Sequence, residues 1–286
     1  MNIARNDGAT GLYAELLKKV LTASIYEQSS WCVVYMDVQN WRQEKNLLKL
    51  IKNHIKSKII EWLGKRSYLL VKRIPFDAKA REIGRDWPNF IGFTMVGHRR
   101  LDNVQACIED VLKNNVEGDF IETGAWRGGV TIFMRAMLKD HGVTDRNVWV
   151  ADSFEGLPAP VSKGDGADLS EVQMLKVSVE QVKENFMKFG LLDDQVKFLK
   201  GWFCDTLPNA PIQKLAILRL DGDMYSSTMD ALKNLYPKVS KGGYVIVDDY
   251  YSWPSCRQAV TDYLDLHGLK PEIIAVDEDA AYWKCE

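Results

Sequence analysis

The sequence has little of what anchors, crosslinks or exports a chain. No stretch approaches the ~20 consecutive apolar residues a membrane-spanning helix needs. The opening residues Met1-Asn2-Ile3-Ala4-Arg5-Asn6-Asp7 lack the apolar core of a secretory signal. Cys32, Cys107, Cys204, Cys256 and Cys285 make an odd number with no C-x-x-C spacing, which argues against a disulfide framework and against a structural zinc site. Excess charge is missing as well: 37 Lys+Arg face 39 Asp+Glu, for a net charge of −2. A nucleic-acid binder would show a basic bias over the whole domain, so that class is disfavoured. A cytoplasmic protein without a membrane span is the expectation.

What is present fits one large α/β core with an appendage. The 286 residues are 46% hydrophobic and 27% charged, an ordinary globular composition. The local charge is uneven, because residues 42–85 carry 13 Lys+Arg against 4 Asp+Glu. In that tract Leu47, Ile51, Ile55, Ile59 and Trp62 recur at helical spacing with lysines between them. Such a stripe packs on the main body or on a second copy, and its basic face is a candidate docking surface for an acidic partner. Two prolines, Pro75 and Pro88, interrupt the pattern and place a boundary near residue 85. Residues 1–85 are therefore expected as a helical N-terminal region and 86–286 as the main domain.

Beyond residue 100 the pattern alternates. Helices are expected over 101–114, 130–141, 177–189, 228–239 and 256–267. Strands are expected over 119–122, 147–152, 196–199, 215–220 and 244–247, with two short ones at 272–276 and 281–284. Short apolar strands alternating with helices imply a mostly parallel sheet covered on both faces. Ligands of such sheets bind beyond the carboxyl ends of the strands, where chain order reverses.

The residues that end the strands carry the chemistry. Gly124, Gly128 and Gly129 form a G-x-x-x-G-G loop, which departs from the G-x-G-x-x-G of dinucleotide sites. Asp152 ends the second strand and suits a ribose diol, a geometry shared by nicotinamide and S-adenosylmethionine sites. Asp221, Asp248 and Asp249 end two strands expected to be neighbours. Crowded carboxylates repel one another, and a hard divalent cation such as Mg2+ relieves that repulsion. The competing reading is that these aspartates cap helices or pair with arginine or lysine.

Several ordered stretches resemble the macrocin O-methyltransferase family. They are Thr94-Met95-Val96-Gly97, Ile121 through Gly129 (I-E-T-G-A-W-R-G-G), Trp149 through Pro158 (W-V-A-D-S-F-E-G-L-P), Gly201-Trp202-Phe203, Leu220-Asp221-Gly222-Asp223-Met224-Tyr225 and Gly243 through Tyr250 (G-Y-V-I-V-D-D-Y). The likeness runs almost continuously over residues 85–283. It implies a Rossmann-like class I methyltransferase fold: seven strands, helices on both faces and a helical N-terminal extension. It also implies an S-adenosylmethionine-dependent, divalent-metal-dependent O-methyltransferase acting on sugar or phenolic hydroxyls of secondary metabolites, as in antibiotic biosynthesis. By this resemblance Thr94, Met95, Glu122, Thr123, Gly124, Ala125, Trp126, Asp152, Ser153, Gly201 and Trp202 hold S-adenosylmethionine, and Asp221, Asp248 and Asp249 hold Mg2+. Residues 28–79 have no counterpart in shorter members and are expected to govern acceptor access, as a lid, a docking platform for an acidic carrier protein, or a contact between copies in a homo-oligomer.

An alcohol must lose its proton to attack a sulfonium methyl group. Asp223 is the first candidate base and His98 the second, its ordinary pKa near ~6.5 suiting proton transfer at neutral pH. Asp221 is counted with them as the expected ligand of the cation that would fix the direction of the acceptor hydroxyl.

Overall fold

The computed structural model describes residues 7–25, 30–33, 55, 56, 58, 59, 61–63, 65, 66, 71–74, 77–84 and 92–286. The chain opens with helix α1 (Asp7–Leu21), followed by strands β1 (Ser30–Val33) and β2 (Val71–Ile74) and the short helix α2 (Ala78–Glu82). Next come α3 (His98–Lys113), β3 (Asp119–Thr123), α4 (Gly129–Asp140), β4 (Val148–Asp152), α5 (Val179–Lys188) and β5 (Val196–Lys200). The last third holds α6 (Phe203–Thr206), β6 (Leu215–Leu220), α7 (Tyr225–Leu235), β7 (Val239–Val247), α8 (Pro254–Leu266), β8 (Ile274–Ala275) and β9 (Ala281–Lys284).

Seven strands form one sheet in the order β5-β4-β3-β6-β7-β9-β8. The first five run parallel, and β9 and β8 close the edge antiparallel. Chain order reverses between β3 and β6, so the expected crevice lies beyond their carboxyl ends. β6 is buried at all six positions, because helices cover both faces of the sheet. Alternate residues feed two cores. Ile217 packs with α1, α3, α4 and α5, whereas Leu218 and Leu220 pack with α7, α8 and Trp283.

Element boundaries follow local chemistry. Helix α3 begins three residues before the expected start, after Gly97 in an extended cap. That cap position admits no side chain, since a Cβ there would lie 2.2 Å from the Glu82 carbonyl oxygen. Helix α5 starts after Ser178, whose hydroxyl accepts the Gln181 N–H at 3.2 Å. Helix α7 also starts early, at Tyr225, and gives way to a 3-10 turn at Tyr236–Lys238, where Pro237 sits. Strand β7 is longer than the expected 244–247 because Gly242 and Gly243 continue it, with a register shift against β6.

The N-terminal region differs most from expectation. Among its described residues, β1 and β2 pair antiparallel, with Ser30 opposite Ile74 and Val33 opposite Val71. This ribbon was not expected, since neither segment alternates cleanly. Residues 55, 56, 58, 59 and 61–63 are helical, as the spacing implied. Their stripe is not packed away, however: Ile55, Ile59 and Trp62 are 56%, 49% and 54% exposed. Leu47, Ile51, Lys49 and Lys52 lie outside the described residues. Helix α1 does join the main core, through Ala14, Leu17 and Leu21. No described helix is long and apolar enough to cross a membrane.

Candidate active site

The loop after β3 is shaped by one aspartate. Asp152, at the end of β4, accepts the Ala125 N–H at 2.7 Å and the Trp126 N–H at 3.2 Å on Oδ2, and the Phe154 N–H at 2.7 Å on Oδ1. Burial pushes its carboxyl pKa up, and these three amides pull it back. Gly124 adopts φ 91°, and a Cβ there would meet the Asp221 carbonyl oxygen at 1.7 Å. The loops after β3 and β6 thus touch backbone to backbone, which only glycine permits. Trp126 takes a left-handed φ of 47° and donates its indole N–H to the Met174 carbonyl at 2.8 Å, tying this loop to the one after β4.

A cleft of about 550 Å³ opens at this edge. Met95, Gly124, Trp126, Asp152, Ser153 and Trp202, six of the candidate cofactor residues, are among those lining it. Leu157, Pro158, Val161 and Phe203 give it apolar walls, and Asp221 and Asp223 face the same space. The other expected cofactor residues stand behind this surface. Thr94 is buried and accepts the Val96 N–H at 3.2 Å; Gly201 donates its N–H to the Asp152 carbonyl at 3.0 Å. Ala125 contributes the amide already described. Thr123 is buried, with its hydroxyl near the Arg219 carbonyl at 3.4 Å. Glu122 is buried under the loop, where its Oε1 accepts from Arg219 Nη1 at 2.5 Å.

Three carboxylates cluster here: Asp221 and Asp223 line the cleft, and Asp249, which is not among its lining residues, lies against them. Ligand-capable oxygens of Asp221, Asp223 and Asp249 all lie within 4.8 Å of one another. This cluster shares Asp221 and Asp249 with the expected ligand set and has Asp223 where Asp248 was expected. Asp248 stands apart because arginines occupy both its oxygens: Oδ1 accepts from Arg219 Nη2, and Oδ2 from Arg100 Nη1 at 2.5 Å. Asp223 is in the cluster instead, turned inward by a left-handed φ of 55° that is costly for a non-glycine residue. Burial and then the charge of Asp248 push Asp221 up to about 7, while burial pushes Asp223 up to about 6. Asp249 is raised by burial and by the neighbouring Asp223, Asp248 and Asp221.

His98 is placed elsewhere. Its Nε2 lies 2.7 Å from Ser24 Oγ and 3.1 Å from Thr22 Oγ1, joining the end of α1 to the start of α3. It is absent from the cleft lining, and burial lowers its pKa. Its place as second candidate base is therefore corrected to that of a link between helices. Sequence reasoning missed Arg219, and it placed Arg100 in the family-like stretch Arg100-Leu101-Asp102-Asn103 without giving it a role. Arg219 is 1% exposed and bridges Glu122, Asp221 and Asp248. A charged residue inside the otherwise apolar run Leu215–Leu220 was the sign that could have found it.

Comparison with known proteins gives a consistent result. A family model for macrocin O-methyltransferases (TylF) matches residues 10–285. Demethyldecarbamoylnovobiocin O-methyltransferase of Streptomyces niveus is 52% identical over 211 residues, covering 72% of this chain and 80% of that one. Mycinamicin III 3''-O-methyltransferase of Micromonospora griseorubida is 47% identical over 222 residues, covering 75% and 87%. The solved structure of the O-methyltransferase NovP superposes with a TM-score of 0.78 at 42% identity, covering 96% of this chain and 99% of that one.

Proposed function

Because the chain belongs to the macrocin O-methyltransferase family and is an S-adenosylmethionine-dependent O-methyltransferase, we propose that it methylates a hydroxyl on the sugar or polyol part of a secondary metabolite with the help of a divalent cation. The observation that carries this reading is one cleft lined by Asp152, Asp221 and Asp223 together. A bound sulfonium and an acceptor hydroxyl can meet there.

The acidic cluster fits a hard cation. Its donors are all carboxylate oxygens, the type Mg2+ prefers. Asp249 Oδ2 is buried without a basic or amide donor among the described residues, its carboxyl lying against that of Asp223, and of the three clustered carboxylates Arg219 touches Asp221. Asp221 and Asp249 are the residues we assign to hold the ion. When bound, it supplies a Lewis acid that lowers the pKa of the acceptor hydroxyl.

The chain's own groups do the remainder. Asp152 holds the ribose of the cofactor, and Trp202 walls its binding site. Leu157, Pro158 and Phe203 give the reacting oxygen apolar neighbours. Asp223 takes the hydroxyl proton as the oxygen–methyl bond forms and the sulfonium–methyl bond breaks. Neighbouring α7 and the loop after β6 fix Asp223 in range, so its contribution is one of placement as well as basicity.

Two measurements test this reading. Exhaustive chelation is expected to abolish turnover, and added Mg2+ to restore it; full activity after chelation refutes the metal assignment. Asp152→Asn is expected to weaken S-adenosylmethionine binding about 10- to 100-fold in calorimetry, the size of a lost hydrogen bond to a charged group. Unchanged affinity would remove Asp152 from the cofactor site.

A further inference from the structure

Among the described residues, no cation pairs with Asp249 to aim it. Its carboxylate accepts the Ser252 hydroxyl at 3.1 Å on Oδ1, and its Oδ2 has no basic or amide donor among the described residues. Its two flanks, by contrast, are anchored: Arg219 holds Asp248 Oδ1, and Arg100 is the residue that reaches both sides. On the N-terminal side, Asp248 Oδ2 accepts from Arg100 Nη1 at 2.5 Å. On the C-terminal side, the Tyr251 N–H donates to the Asp279 carbonyl at 2.7 Å. Asp279 in turn accepts on its side chain from Arg100 Nη2 at 2.7 Å. The third arm of the same guanidinium, Nε, donates to Asp277 Oδ2 at 2.8 Å.

The turn that Arg100 grips is itself closed by an aspartate. Asp277 Oδ1 accepts the N–H groups of Asp279 at 2.9 Å and Ala280 at 2.8 Å. Ala281 then enters β9, which pairs with Val247 at the end of β7. Arg100 lies at the start of α3, five residues after Met95 of the cleft wall, and is 8% exposed. One planar fork therefore fixes the end of β7, the turn before β9 and the start of α3 relative to one another.

We propose that Arg100 is a positioning residue for Asp249: by holding Asp248 and the Asp277–Asp279 turn together, it aims the intervening carboxylate into the acidic cluster. This rests on the metal reading above. Lysine has one charged nitrogen and cannot span three carboxylates from a single plane, so Arg100→Lys keeps the charge and loses the geometry. Groups that orient metal ligands are worth about 10–100-fold in metal affinity, which sets the expected effect.

The test is Mn2+ binding to the full chain by calorimetry, alongside S-adenosylmethionine binding and steady-state kinetics. Arg100→Lys is expected to weaken Mn2+ by about tenfold or more and to lower kcat, while S-adenosylmethionine affinity stays within about threefold. Asp277→Asn covers the case in which Arg100→Lys fails to fold. It keeps an oxygen for the two turn amides, sets an amide NH2 where Oδ2 accepted from Arg100 Nε and so breaks that arm of the grip, and is expected to weaken Mn2+ measurably. Wild-type Mn2+ affinity in folded Arg100→Lys or folded Asp277→Asn overturns the proposal, as does an equal loss of Mn2+ and S-adenosylmethionine binding. A wild-type chain that binds no Mn2+ overturns the metal reading and this inference with it; a wild-type chain that binds Mn2+ beside variants that bind it equally well overturns this inference alone.

Discussion

Asp223→Asn is expected to lower kcat by about 10²- to 10⁴-fold, the range for removal of a general base, with S-adenosylmethionine affinity little changed. The substitution is nearly isosteric, and asparagine tolerates the left-handed backbone that Asp223 adopts at φ 55°. Its effect therefore reports the lost carboxylate and not a collapsed loop. Asp221→Asn is expected to reduce kcat too, but together with Mn2+ affinity, since it removes a ligand. Asp248→Asn separates the two assignments of the third acidic position. With both of its oxygens held by arginines, it is expected to cost stability and, by loosening the Arg100 grip, to weaken Mn2+ only as far as Arg100→Lys does, less than the loss of a direct ligand in Asp221→Asn. Loss of Mn2+ binding in Asp248→Asn with none in Asp221→Asn would return Asp248 to the ligand set. Undiminished kcat in Asp223→Asn would move the base elsewhere.

These contrasts show where sequence reading succeeds. The five parallel strands were legible because each is a short apolar run, and β6, at 215–220, was placed to the residue. The crevice followed from the strand order, and with it the polar residues at the strand ends. Asp152, Gly124, Trp126 and Trp202 reach the cleft because they directly follow a strand or open the next loop. What spacing cannot carry is which way a carboxylate turns once it gets there. Asp248 and Asp249 are adjacent, yet one faces two arginines and the other the acidic cluster. The partners that decide this are 148 residues and 29 residues away in sequence.

His98 illustrates the same limit. Its residue type recommended it for proton transfer, but the hydroxyls of Ser24 and Thr22, more than seventy residues earlier, hold it at a helix junction. The ribbon of β1 and β2 was hidden for a different reason. It is a two-stranded pair whose members are separated by 37 intervening residues, so neither strand signals its partner locally. Helix α7 shows the opposite case, in which local chemistry was present but misread. Its start at Tyr225 follows from the turn at Asp223 and Met224, whose Gly222 carbonyl accepts the Met224 N–H at 2.5 Å.

Arg219→Met is expected to destabilise the fold by about 3–5 kcal/mol, the usual cost of stripping one partner from a buried ion pair. Arg219 donates to Glu122 Oε1 at 2.5 Å, to Asp221 Oδ2 at 2.7 Å and to Asp248 Oδ1. Methionine fills much of its volume but leaves Glu122 and Asp248 without that cation in the middle of the sheet. The loss carries a pH signature that a packing defect lacks. Burial pushes Glu122 up to about 8, against an ordinary value of 4.5, with Arg219 opposing the rise. A carboxyl with a raised folded pKa binds its proton more tightly in the folded state. Its contribution to stability is therefore fully present below about 4.5 and is lost as pH rises through about 8. Without Arg219 the folded pKa climbs further, and ionisation above neutrality costs more. Denaturant titrations are thus expected to show a larger deficit at pH 8 than at pH 5. Adding Glu122→Gln to Arg219→Met should recover part of the deficit at pH 8 and little of it at pH 5, because an amide needs no proton to be buried uncharged, and the cost of protonating Glu122 on folding is large only well above 4.5. An equal deficit at both pH values, untouched by Glu122→Gln, would assign the role of Arg219 to packing and not to charge.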